Sequence, residues 1–249
     1  MSDRDLHPAS ARWLLIHGAA NSARVWTHWR QMLAADDIDA RAIDLRGHGD
    51  APPCDLSRTS MRDYADDAAA EARKLGRPVV VGWSMGGLIA LMLAAEGLAT
   101  ACIALAPSVP ARERDASVAL REGEFGPEEY GITSRDPHDQ PAMPDLDREE
   151  RAIALASLCD ESRYARDDRQ AGIVIERLRC QLLIVTGSAD AQWPRTRYDG
   201  LWLPADWLTA EGASHWGLVL NRRALRTLVP QAVAWARRST SSRAHGERE

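Results

Sequence analysis

Gly82-Trp83-Ser84-Met85-Gly86, followed by Gly87, decides how this chain is read. The pentapeptide has the form GxSxG. It follows the apolar run Val79-Val80-Val81 and precedes Leu88-Ile89-Ala90-Leu91-Met92-Leu93, so it predicts a strand, a sharp turn and a helix. Such a turn strains the serine backbone and lifts its Oγ out of the sheet. Glycine flanks it because the strand and helix backbones pass closely there, and a Cβ would clash. The helix N-terminus that follows favours developing negative charge. An ordinary glycine-rich turn is the competing reading, and the strand–turn–helix setting weighs against it.

Outward from this turn, short apolar runs alternate with longer helical patterns. Strands are predicted at Trp13–Ile16, Ala40–Leu45, Pro78–Trp83, Thr100–Ala106 and Leu182–Thr186, with a weaker one at Asp206–Ala210. Most are nearly continuously apolar, as parallel strands buried on both faces must be. Helical patterns fall at Val25–Ala35, Ser60–Leu75, Gly86–Glu96, Pro194–Leu201 and Asn221–Arg238. That order implies an α/β fold, a mostly parallel sheet flanked by helices. Between 107 and 169 the rhythm breaks. This stretch is charged, carries six prolines, has a helix-like piece at Asp147–Leu158 and shows no good strand. So long a loop is rarely structureless inside a compact domain. It reads as an inserted helical cap, dividing a core of 11–106 and 170–238. The polar ends, 1–10 and 239–249, read as flexible.

A serine hydroxyl needs a general base, and the base needs a group to orient it. Among seven histidines, His17, His48 and His215 are the serious candidates, the last in the glycine-flanked loop Glu211-Gly212-Ala213-Ser214-His215-Trp216-Gly217 after the last strand. His7 and His245 lie in the polar ends, His28 on a surface-like helix and His138 in the cap. Asp190 follows the strand Leu182–Thr186 and the small-residue turn Gly187-Ser188-Ala189, a shape suited to a carboxylate facing a histidine. Its competing reading is a helix N-cap for the segment starting near Trp193.

Taken together, Leu15-Ile16-His17-Gly18, Asp44-Leu45-Arg46-Gly47-His48-Gly49, the Ser84 turn, Gly187-Ser188-Ala189-Asp190 and Gly212-Ala213-Ser214-His215 fall in an order that resembles the α/β-hydrolase family. The likeness runs from about Arg12 to Arg238 and is strongest to the serine esterase and C–C hydrolase branch with a helical cap. It implies the α/β-hydrolase fold and a Ser84–His215–Asp190 triad. It further implies an oxyanion hole from the backbone N–H groups of Ala19 and Met85. His17 and the Asp44–Gly49 stretch become structural residues beside the site. The family often begins with an antiparallel hairpin; the expectation here is a sheet without it, of six strands. Haloalkane dehalogenase and epoxide hydrolase chemistry is disfavoured, since members of the fold with those activities use an aspartate where this chain has Ser84.

The implied reaction is hydrolysis of small to medium apolar carboxylic esters through an acyl-enzyme, without metal or organic cofactor. Lactone or C–C bond hydrolysis on the same triad is the alternative, and a non-enzymatic receptor on this fold the more distant one. Pocket candidates are aromatic or apolar. Trp83 and Trp216 adjoin the nucleophile and base. Trp26 and Trp29 follow the oxyanion turn, where core packing is the stronger reading. Phe125, Tyr130 and Met143 could close the pocket from the cap.

A formal charge of −5 gives no support to nucleic-acid binding. The polar Met1–Ser10 stretch lacks a signal-peptide core, no apolar run approaches membrane-spanning length, and the cysteines form no CxxC pair. A cytoplasmic, reduced protein without membrane insertion is the expectation. Cys102 and Cys180 read as buried strand thiols.

Overall fold

The computed structural model describes residues 12–246. Its strands are β1 (Trp13–Ile16), β2 (Ala40–Ile43), β3 (Val79–Trp83), β4 (Ala101–Leu105), β5 (Glu124–Phe125), β6 (Glu161–Ser162), β7 (Gln181–Gly187) and β8 (Asp206–Ala210). Its helices are α1 (Thr27–Ala35), α2 (Met61–Lys74), α3 (Met85–Ala95), α4 (Arg148–Ala156), α5 (Arg163–Ala171), α6 (Gly217–Leu220) and α7 (Arg222–Gly246).

Six strands form one sheet in the order β2-β1-β3-β4-β7-β8, and every adjacent pair is parallel. Strand side chains alternate between its faces. Trp13, Leu15, Val79, Val81, Ile103 and Val185 join a core with residues of α1 and α7. Leu14, Ile16, Val80, Cys102 and Ile184 join a second core with residues of α2 and α3. Both faces are covered, which is why the strands read as unbroken apolar runs. From Met85 to Ala94 helix α3 is buried throughout, as its all-round apolar sequence requires.

The chain leaves the sheet after β4 and returns at β7. Between them lie the antiparallel ribbon β5–β6 and the helices α4 and α5. The ribbon corrects the expectation of no strand there. It is only two residues per strand, too short to leave an alternating pattern.

Other boundaries also shift. The helix expected over Pro194–Leu201 is one 3-10 turn, Arg195–Tyr198, bracketed by Pro194 and Gly200. Helix α7 runs past Arg238 to Gly246, and Ser239 is buried, so the 239–249 segment is helical as far as it is described. No glycine or proline stands between Ser239 and His245 to stop it. Residues 1–11 and 247–249, with the N-terminal hairpin question, lie outside the described residues. His28 is buried, not on a surface face. Cys102 is buried in β4, but Cys180 is half-buried because β7 begins to pair only at Gln181. No helix among the described residues is long and apolar enough to cross a membrane.

Candidate active site

The GxSxG turn joins β3 to α3, and Ser84 sits at its apex with φ 56° and ψ −115°. That conformation is strained for a residue with a Cβ and costs on the order of 1–3 kcal/mol. Backbone bonds hold it: Ser84 N donates to Leu105 O at 2.9 Å, and Ser84 O accepts from Ser108 N at 3.0 Å. Both flanking glycines are required by space. A Cβ on Gly82 would stand 2.0 Å from Gly86 O, and one on Gly86 would stand 2.3 Å from the carbonyl oxygens of Ile16 and His17.

Asp190 and His215 come from the loops after β7 and β8. Asp190 Oδ2 lies 2.8 Å from His215 Nδ1. Its other oxygen, Oδ1, accepts the backbone N–H groups of Gln192 at 3.1 Å and Trp193 at 2.9 Å. The N-cap reading does not hold, since the 3-10 turn Arg195–Tyr198 has Pro194 at its N-cap and no side-chain cap bond; Oδ1 instead braces the turn before it, while Oδ2 faces the imidazole. Burial works against its ionised form, but His215 and the two N–H donors outweigh it and hold the carboxyl below the usual range. The imidazole sits between two indoles, Trp83 at 5.1 Å and Trp193 at 5.9 Å between ring centroids. Trp83 Nε1 also donates to His215 O at 3.0 Å.

Ala19 lines the cavity above Ser84, and Met85 opens α3, where N–H groups lack intrahelical acceptors. The turn holding Ala19 is braced from several sides. Asp44 accepts Ala23 N at 2.6 Å and Asp50 N at 3.0 Å. His17 Nε2 accepts Leu45 N at 3.1 Å, so its proton resides on Nδ1, which donates to Gly18 O at 2.8 Å. Burial and the neighbouring His48 lower the His17 pKa to about 4, so it stays neutral at ordinary pH. His48 is buried with Nε2 3.5 Å from Glu161 Oε2, and Glu161 also accepts from Tyr64 Oη at 2.6 Å and Ala20 N at 3.0 Å. Burial opposes the Glu161 charge, yet His48 and these donors bring its pKa down to about 2.

Ser84, His215 and Asp190 line one cavity of about 620 Å³. Trp83, Trp216, Trp193 and, from the 107–169 segment, Tyr130, Ile132 and Leu158 form much of its wall. Three pocket expectations are corrected. Trp26 is fully buried, edge-on to Trp29 at 5.8 Å, and belongs to the α1-side core. Met143 is fully buried in the same core. Phe125 lies behind the wall, against the Tyr130 ring and the guanidinium groups of Arg163 and Arg166. Sequence reasoning also missed Glu161 and Trp193. Glu161 had no local signal. Trp193 could have been found from its place in the turn that follows Asp190. Among the described residues no group of three or more His, Cys, Asp or Glu side chains converges as a metal ligand set.

The model of the alpha/beta hydrolase family matches residues 13–228, spanning the elbow, Asp190 and His215. This chain belongs to that family. It is similar to the pimeloyl-[acyl-carrier protein] methyl ester esterases of Vibrio atlanticus, 35% identical over 81 residues, and of Neisseria meningitidis serogroup A, 39% identical over 86 residues. Those matches cover 32% and 33% of this chain and only 30% and 25% of the relatives' own length. A longer match, 26% identical over 166 residues, covers 60% of this hydrolase-family chain and 62% of the 2-succinyl-6-hydroxy-2,4-cyclohexadiene-1-carboxylate synthase of Citrobacter koseri. Among solved structures, a methylesterase from Arabidopsis superposes with a TM-score of 0.69 at 17% identity, over 90% of this chain and 99% of that one. An esterase from Thermogutta terrifontis gives 0.66 at 18%, over 91% and 90%. At such identities the superpositions establish the fold alone.

Proposed function

We propose that this family member is a serine esterase acting on small to medium carboxylic esters. The observation that carries the reading is the 2.8 Å contact between Asp190 Oδ2 and His215 Nδ1, in a cavity that the strained Ser84 also lines. Ser84 Oγ attacks the ester carbonyl while His215 Nε2 takes its proton. Asp190 keeps the imidazole in the required tautomer and supports the charge it gains. The N–H groups of Ala19 and Met85 receive the oxyanion, each contributing roughly 3 kcal/mol in the transition state. His215 then protonates the leaving alcohol, and water repeats the sequence on the acyl-enzyme. The steps draw on protein groups alone. The 107–169 segment serves as the cap, and its apolar wall residues favour an apolar acyl or alcohol part. Esterase names among the sequence relatives support the reaction class. The test is turnover of a short p-nitrophenyl ester: the wild type hydrolyses it and a folded Ser84→Ala variant does not. Retained turnover by that variant would falsify the assignment.

A further inference from the structure

Ala20 adopts φ 54°, a left-handed conformation disfavoured for a residue with a Cβ. Left alone, the turn next to Ala19 would relax. It is held instead by a strap of the inserted segment running from Ser157 to Glu161.

The peptide plane between Ala19 and Ala20 is gripped at both ends. Its carbonyl, Ala19 O, accepts Asn21 Nδ2 at 2.8 Å, and its N–H, on Ala20, donates to Glu161 Oε2 at 3.0 Å. The strap also secures Asn21, whose Oδ1 accepts Ser157 Oγ at 2.8 Å. Ala20 O accepts Cys159 N at 3.0 Å. Glu161 is only 1% exposed and has its own supports. Its Oε1 takes Tyr64 Oη at 2.6 Å and Ser162 N at 2.8 Å, and His48 stands against Oε2. A buried carboxylate this well satisfied is rigid, since moving it would strand several donors.

We infer that Glu161 is a positioning residue for the oxyanion hole: it fixes the Ala19–Ala20 peptide plane, and so holds the turn in which the adjoining Gly18–Ala19 plane, itself tied at Gly18 O by His17 Nδ1, aims the Ala19 N–H. The inference rests on the esterase reading for its catalytic consequence and on geometry alone for the anchoring. Oxyanion donors act only when aimed at the developing charge, so a loosened turn loses transition-state binding before it loses substrate binding.

Glu161→Gln separates the possibilities. Two donors converge on Oε1, so the amide oxygen settles there and the amide NH2 turns toward the Ala20 N–H. A donor then faces a donor, in a side chain of unchanged shape. The expected result is a folded variant with kcat for a p-nitrophenyl ester down roughly tenfold and KM within about twofold. Affinity for an alkyl boronic acid, which mimics the tetrahedral intermediate, falls by the same factor as kcat/KM. Hydrogen exchange in peptides spanning the Ala19–Asn21 turn quickens. Ser157→Ala, which releases the Asn21 end, gives the same signature more weakly and stands in if Glu161→Gln fails to fold. A folded Glu161→Gln with wild-type kcat and unchanged exchange at the turn overturns the inference. So does a variant that loses only thermal stability, since that marks a purely structural role. If the wild type hydrolyses no ester, the esterase reading fails, and exchange at the turn still decides whether Glu161 anchors it.

Discussion

The indole of Trp193 lies stacked on the imidazole of His215, 5.9 Å between centroids and 24° between planes, on a turn whose N–H groups are bound by Asp190. One carboxylate therefore orients the histidine from its edge and, through the backbone of Trp193, from its face. Trp193→Ala should leave the Asp190 contact in place and widen the motion of the ring. The expected outcome is a several-fold loss of kcat, with Tm close to wild type because Trp193 is half-buried at the cavity rim. Steady-state kinetics and a thermal melt check it.

Asp190→Asn has the larger effect. The amide can present its NH2 to His215 Nδ1 and so favour the wrong tautomer. kcat should fall by about 10⁴-fold while KM changes little. A fluorophosphonate probe reports the same loss without a substrate. It should label the wild type once, at Ser84, and the Asp190→Asn variant far more slowly. Peptide mapping that finds the label elsewhere would sink the mechanism.

Gly86→Ala tests the elbow as a packing device. Its Cβ would meet two backbone carbonyl oxygens of β1 and the residue after it at 2.3 Å, and neither can move without shifting the sheet. The variant should accumulate as insoluble or molten material, read by near-ultraviolet circular dichroism.

Stability against pH follows from the buried groups under the Ala19–Ala20 turn. Glu161 has a folded pKa of about 2 against 4.5 unfolded, so its contribution is present above pH 4.5 and is lost as pH falls toward 2. His17 is lowered to about 4 from 6.5, so below pH 6.5 the unfolded chain takes a proton that the folded one refuses, and stability again drops with acid. His48 has the opposite sign. Burial lowers its pKa, but the facing Glu161 more than compensates and raises it, so its contribution holds below pH 6.5 and fades as pH rises above its folded value. Thermal melts across this range should show a maximum near neutrality, and His48→Gln should flatten the alkaline side.

The parts of this site that were legible in the sequence are those written in contiguous residues. Ser84 was readable because the strand, the two glycines and the apolar helix lie side by side. Asp190 and His215 were readable because each follows a strand and a small-residue turn. The parallel character of the sheet, though not its strand order, followed from alternation of apolar runs with helical patterns. What escaped was long-range. Glu161 meets Ala20 across 141 residues, and nothing near it marks a carboxylate that will be buried. Trp26, Phe125 and Met143 failed as pocket residues for a related reason. An apolar side chain beside a cavity wall can face either the cavity or the core, and composition does not choose. Packing chose the core for Trp26 and Met143, and two arginines claimed Phe125.

The 107–169 segment holds the His215 loop as well as the Ala19–Ala20 turn. Asp145 accepts Ser214 N at 3.0 Å and Asn221 Nδ2 at 3.0 Å, on either side of His215. Synthesis runs from the N-terminus, so a nascent chain that has emerged only through α3 already owns Ser84 but neither brace. Contacts closing such long loops form late, because the entropy of closure has to be met first. On the proposed esterase reading, competence is then a property of the finished chain, and the appearance of p-nitrophenyl ester turnover during refolding is expected to serve as a clock for the last tertiary contacts to close.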